Sequence, residues 1–276
     1  MAIILPERVN KYAYVIGIGI QNTLVYRVNF LFRSCFGLIP LMATIFLWRA
    51  IFEGKTDSST VAAYSLAEMI SYYLVVTIVD ALTAVTDDDW QIAADIRDGQ
   101  ISQFLLKPID YLRYRLCLFL SGRLIYTAIA FVPVTLFILL QARYFVLPPD
   151  SATLGIFAIS VMLTALLQFL ISYTMALLAF WILEISTFIF ILFALEHLAG
   201  GHLFPLDLLP PAISQVLSFT PFPYQMYFPV SIYLGKTTGP ELWQGLALQL
   251  FWVIAAYVLA RWVWQRGIRR YAAVGG

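Results

Sequence analysis

The chain has 276 residues, 61% of them apolar and only 12% charged, with a mean hydropathy of +0.83. An ordinary soluble domain carries about 25% charged residues and could not hide so much apolar surface at this length, while a disordered chain would be far more polar. A net charge of +1 gives no footprint for nucleic acid, and two cysteines, Cys35 and Cys117, make no disulfide framework.

An integral membrane protein remains. The start, Met1-Ala-Ile-Ile-Leu-Pro-Glu-Arg, lacks the basic region and the small-residue cleavage site of a signal peptide. Within residues 1–35, stepping about 100° per residue places Ile20, Leu24, Val28, Leu31 and Cys35 on one side. Asn22, Asn29 and Arg33 fall opposite. This pattern predicts a cytoplasmic amphipathic helix lying in the membrane interface, with Arg27 snorkelling from its edge. A soluble helix facing a partner is the alternative.

Six stretches then approach the roughly 20 apolar residues that a bilayer crossing needs: 36–52, 61–86, 116–140, 153–177, 185–203 and 243–264. Their length and Ile/Leu/Phe/Ala content predict an all-α membrane protein with six transmembrane helices, because the alternating segments of a β-barrel are missing. Arg8, Lys11, Arg27 and Arg33 precede the first span, and Arg97, Lys107, Arg113 and Arg115 lie between the second and third. Arg261, Arg266, Arg269 and Arg270 follow or end the last. The positive-inside rule makes these regions cytoplasmic, and with them both termini. Arg49, Lys55, Arg143 and Lys236 fall outside, Arg123 lies a little way inside the third span, and the inner turn near 180–184 carries no base. Trp48, Tyr64, Trp181, Trp243, Trp262 and Trp264 fall near span ends, where aromatic belts form.

The inner loop 87–115 carries more order than a linker. Asp87, Asp88 and Asp89 offer N-caps to a short helix of about residues 90–98, and Gly99 is placed to end it in a left-handed cap. An extended elbow with Phe104 and Leu105 follows, and Pro108 suits the first turn of the next helix. Exposed apolar groups here point to a protein partner; packing on the chain's own bundle is the alternative. On the outer side, Pro205, Pro210, Pro211, Pro221, Pro223 and Pro229 forbid one long helix across 204–239, yet the segment is too apolar for a wet loop. Re-entrant half-helices follow as the expectation, either an outer lid or a packing element.

Catalytic groups are sparse. Gly235-Lys236-Thr237 ends like a P-loop, but Val230 stands where that motif needs glycine. Glu196, His197 and His202 form a weak metal-ligand set, and no Ser-nucleophile elbow is found. Glu68 and Asp80 lie about 18 Å apart along one helix, too far for one site. With Glu184 and Glu196 they read as interfacial carboxylates or partners of Arg49 and Arg123 rather than a proton relay.

Against this background the chain resembles the ABC-2 type permeases, membrane subunits of bacterial ATP-driven exporters. The resemblance is carried by the elbow Asp95-Ile96-Arg97-Asp98-Gly99 through Leu105-Leu106-Lys107-Pro108, by Gly200-Gly201-His-Leu-Phe-Pro205 through Pro210, and by Pro221-Phe-Pro-Tyr224 and Gly235. It implies that Trp90, Asp95, Ile96, Gly99, Leu105 and Pro108 shape a coupling surface for an ABC ATPase subunit, and that Pro205, Pro210 and Pro221 belong to an outer gate. It further implies a bacterial inner membrane location, a second permease copy or related permease, and contact with membrane lipid. ATP and Mg would reside on the partner subunit, so this chain is expected to be no enzyme by itself. No residue selects the cargo, although the apolar path suits an amphipathic or lipid-like one. An ATP-independent secondary transporter or channel is the alternative; internal repeats or central charges would favour it.

Overall fold

The computed structural model describes residues 7–53, 60, 61, 63–85 and 88–271, leaving aside the side chains of 7–10 and 88. The reading of the chain start, Lys55 and the expected cap at Asp87 lie outside those residues. Within them the elements run α1 (Glu7–Leu24), α2 (Arg27–Glu53), α3 (Leu66–Thr83), α4 (Asp88–Arg97), α5 (Ile101–Leu105) and α6 (Tyr111–Leu140). Then follow α7 (Ser151–Ala176), α8 (Ser186–Ala199), α9 (Pro211–Ser218), α10 (Tyr227–Tyr233) and α11 (Gly239–Arg270). Among the described residues the β-type pairing is confined to one bridge between Val61 and Tyr64.

Five helices are long and apolar enough to cross a membrane: α2, α3, α6, α11, and α7 with the 3-10 turn that extends it to Phe180. The expected fifth span is shorter than its apolar stretch, because Gly200-Gly201 stops α8 after 14 residues. At 1.5 Å per residue α8 is about 21 Å long, short of a hydrocarbon core of about 30 Å.

The helix starts follow local chemistry. Ser65 and Glu68 form a reciprocal capping box on α3. Asp110 accepts the Arg113 N–H at the start of α6, and Asp150 accepts the Thr153 N–H at the start of α7. Pro108 therefore lies before α6, not in its first turn, because the Asp110 side chain decides where the helix begins.

The amphipathic helix expected over 20–35 is divided. The chain turns at Val25–Tyr26, where the Tyr26 N–H bonds the Thr23 carbonyl, and residues 27–35 continue straight into the first span. The peripheral helix is instead α1, which packs on α6. Val15 is buried there, and Ser121 Oγ donates to the Ile16 carbonyl at 3.2 Å. Leu24, Val28 and Leu31 remain exposed.

Two apolar cores stack along the bundle. One joins α2, α3, α7 and α10 and includes Met69, Ile70, Val230 and Ile232. The other joins α4, α5, α6, α7 and α11 and includes Ile92, Ile96, Ile101 and Phe169. Trp48 and Tyr64 belong to the first core rather than to an exposed belt; Trp48 Nε1 donates to Tyr73 Oη at 3.0 Å. Trp181, Trp243 and Trp262 are exposed, while Trp264 stacks on Tyr111.

Candidate functional site: a braced elbow and a proline-broken cap

The elbow consists of α4, a tight turn and α5. Gly99 has φ +78°, the left-handed conformation that a β-carbon disfavours, so glycine ends α4 and lets the chain double back. The next residues are not extended as expected. Ile101 is fully buried and draws them into the short helix α5.

Support for this elbow comes from α1, α6 and the end of α11. Asp95 accepts a hydrogen bond from Tyr111 Oη at 2.7 Å and lies 3.4 Å from the buried Arg115, tying α4 to α6. Phe104 packs against the Tyr111 and Tyr114 rings. Asp110 pairs with Arg261 of α11 at 2.5 Å, Ser102 Oγ lies 3.0 Å from Tyr271 Oη, and Lys11 of α1 donates to the Pro108 carbonyl at 2.7 Å. Burial raises the Asp110 carboxyl, but the Arg261 guanidinium and the Arg113 N–H outweigh it and hold the group below the usual carboxylate range.

The six expected coupling residues therefore divide by position. Leu105 is 51% exposed and Trp90 46%, and the neighbouring Leu106 reaches 88%. Ile96 is 4% exposed, so it anchors α4 from beneath instead of facing outward. Asp95, Gly99 and Pro108 serve the frame: ion pair, turn and backbone acceptor. The same end gathers Lys11, Arg97, Arg115 and Arg261.

At the opposite end the prolines punctuate rather than fill helices. Pro205 precedes a 3-10 turn at Leu206–Leu208, Pro210 and Pro211 open α9, and Pro223 starts the 3-10 turn before α10. Pro205 is buried, Pro221 half-buried and Pro210 exposed. Asp207 accepts hydrogen bonds from Tyr64 Oη and Tyr227 Oη, each at 2.6 Å. Tyr72 and Tyr73 of α3 donate to the carbonyls of Gly201 and Leu203. Gln249 of α11 donates through Nε2 to the Tyr224 and Ser160 carbonyls, and its Oε1 accepts from Ser160 Oγ. Gly245 leaves the space that Phe228 of α10 fills; a β-carbon there would sit 2.1 Å from Phe228 Cε2.

The remaining sequence candidates have ordinary partners. Lys236 pairs with Glu68 at 2.5 Å and donates to the Ala63 carbonyl, and Thr237 Oγ1 lies 2.7 Å from Ser231 Oγ. The Gly235-Lys236-Thr237 string thus ties the end of α10 to the start of α3. Glu68 takes Lys236 rather than Arg49, and Glu184 accepts the Ser186 N–H at the start of α8. Among the described residues no three His, Cys, Asp or Glu side chains converge as metal ligands. The Gln249 network escaped the sequence reading; a glutamine inside an apolar helix was its signal.

No curated protein matches the chain. Residues 38–275 match the family described as ABC-2 family transporter protein, and the chain belongs to that family as a multi-pass membrane permease.

Proposed function

We propose that the chain is the permease subunit of an ATP-binding-cassette exporter, driven by a separate ATPase that docks on the 87–115 elbow. The observation that carries this reading is the bare apolar tip of Leu105 and Leu106 on a frame anchored from beneath by the buried Ile92, Ile96 and Ile101. Apolar side chains held rigidly in water gain free energy by burial against another protein. The ties to α1, α6 and α11 supply a path by which a push on the tip reaches the spans.

In this reading ATP and Mg bind the partner subunit, and this chain hydrolyses nothing by itself. Closure of the ATPase pair moves the elbows, and the bundle alternates between inward and outward openings. Helix α8 with the residues after it makes a sixth, short crossing, and its exposed Phe190, Ile191 and Leu198 meet lipid or a second permease. The segment from Pro205 through Pro210 to Pro221 dips into the outer leaflet as the outer gate. Both termini lie in the cytoplasm of a bacterial cell whose inner membrane holds the complex.

Gentle solubilisation of the tagged chain from its native membrane tests this. A Walker-motif ATPase should co-purify, and Leu106→Asp should reduce its recovery while leaving membrane insertion intact. Absence of any such ATPase, or cysteine labelling of the elbow from outside the cell, overturns the reading.

A further inference from the structure

At the elbow's end of the bundle a groove of about 640 Å³ runs between α11 and the 3-10 turn that extends α7. Gly267 of α11 leaves the space that Phe180 fills, and the Phe180 ring meets Trp264 and Tyr271 edge-on. These contacts hold the two walls together. Leu178 and Trp181 form one wall, and Trp262 and Val263 belong to the other. Arg266, Arg269 and Arg270 complete the lining, with no carboxylate among them.

All three arginines are exposed, and among the described residues none is in an ion pair. The Arg266 guanidinium lies 5.0 Å from the centre of the Trp262 ring. Like charges three and four residues apart on a helix repel, so an anion placed among them relieves the crowding. The helix dipole favours bases in a last turn, which accounts for Arg269 and Arg270 but not for the surface they continue. Phe251, Ile254, Val258, Trp262, Arg266 and Arg270 recur at three- and four-residue intervals, and all are exposed. The stripe runs from apolar through tryptophan to base, the polarity profile of one membrane leaflet. Ile254 to Arg266 spans about 18 Å at the helical rise, against about 15 Å for half a hydrocarbon core.

We propose that this groove binds a phospholipid with an anionic headgroup. The arginines donate to its phosphate, in the forked geometry that guanidinium groups favour, and an acyl chain lies along Trp262, Val258 and Ile254. A small water-soluble anion would leave that apolar stripe uncovered, and an acidic protein would have to reach beneath the headgroups to cover it. The site requires only that α11 crosses the membrane, and so goes beyond the permease reading.

The test incubates the full-length chain, in a non-ionic detergent, with equimolar phosphatidylglycerol and phosphatidylcholine of the same acyl chains. Native mass spectrometry counts the lipids retained. Phosphatidylglycerol should be favoured at least about fivefold, as expected for one basic residue at a membrane surface. Exchanging Arg266, Arg269 and Arg270 together for Gln should remove the preference, while Arg113→Gln, an exposed base at the same end, should keep it. Glycerol phosphate, which has the phosphate without the tails, should not displace the lipid. Equal loss in Arg113→Gln would mean diffuse positive charge, and displacement by glycerol phosphate would mean a free-anion site; either overturns the proposal. So does an unchanged preference in the triple variant, and if that variant also loses a co-purifying ATPase, the arginines belong to a protein interface. Should the triple variant fail to fold by size exclusion, the unmodified chain decides: its preference should shrink in high salt, and one that does not shrink overturns the site. Lipid selectivity without a co-purifying ATPase leaves the groove standing and removes the exporter reading; an ATPase without lipid selectivity does the reverse.

Discussion

The elbow between α3 and α6 and the segment between α8 and α11 both interrupt long helices, yet they dispose their side chains in opposite ways. The elbow buries its underside and leaves Leu105 and Leu106 bare. The segment after α8 buries α10 almost completely; Val230 and Ile232 are at most 1% exposed. The ties differ as well. The elbow is held by charged groups, Asp95 to the buried Arg115, Asp110 to Arg261 and Lys11 to the Pro108 carbonyl. The segment after α8 is held largely by neutral donors, the tyrosines on Asp207 and the Gln249 amide. The fully buried Gln249 hydrogen bonds lock a position in a dry interior, whereas the part-exposed Asp110–Arg261 pair is weak and screened. One end therefore presents a bare apolar tip on charged ties, and the other is keyed to its spans.

The sharpest way to break this comparison is to spoil the tip. Replacing Leu105 and Leu106 together by Asp should reduce recovery of the ATPase at least about tenfold, as for a hot spot at an interface, with no change in the thermal unfolding midpoint. Val216→Asp on exposed α9 is the matched change at the other end and should leave recovery unaltered. Equal losses from both would erase the distinction. Gly245→Ala comes next. Its β-carbon would overlap Phe228, and overpacking of this kind costs about 1–3 kcal/mol. The unfolding midpoint should fall while ATPase recovery holds. A smaller effect is expected from Gly99→Val, where the left-handed backbone costs about 1–2 kcal/mol and the space beside it is open to 3.7 Å. Here insertion should be normal and transport-coupled ATP hydrolysis reduced; unchanged coupling would remove Gly99 from the coupling device.

What could be read in advance was local. The left-handed turn at Gly99, the short helix before it and the proline breaks after α8 each depend on a few neighbouring residues. Misreadings came where distant residues decide. Ile96 looks like an outward apolar group until α6 and α7 are packed over it, and Glu68 finds Lys236 rather than a base near it in sequence. Periodicity alone ran one amphipathic helix through Val25–Tyr26, because no proline or glycine marks that turn. The buried amides of Gln168 and Gln249 were legible as polar residues in apolar helices, but attention to formal charges passed them over.

The smallest expected effect concerns the tie between elbow and last span. Asp110 has a carboxyl held below its ordinary value of 3.8, with its hydrogen bonds outweighing the cost of burial. A depressed folded value stabilises the protein above the unfolded value, and that contribution disappears as pH falls through the folded one. Asp110→Asn should therefore lower the unfolding midpoint at neutral pH. Its difference from the unmodified chain should close only as pH drops below 3.8. Both groups of the pair are about one-third exposed, 35% for Arg261 and 30% for Asp110, so the difference should also shrink in high salt. A gap that persists at low pH would mean that the Asp110 side chain works through its cap on α6, which asparagine keeps in part, or through packing, and the elbow would then have lost its charged tie to α11.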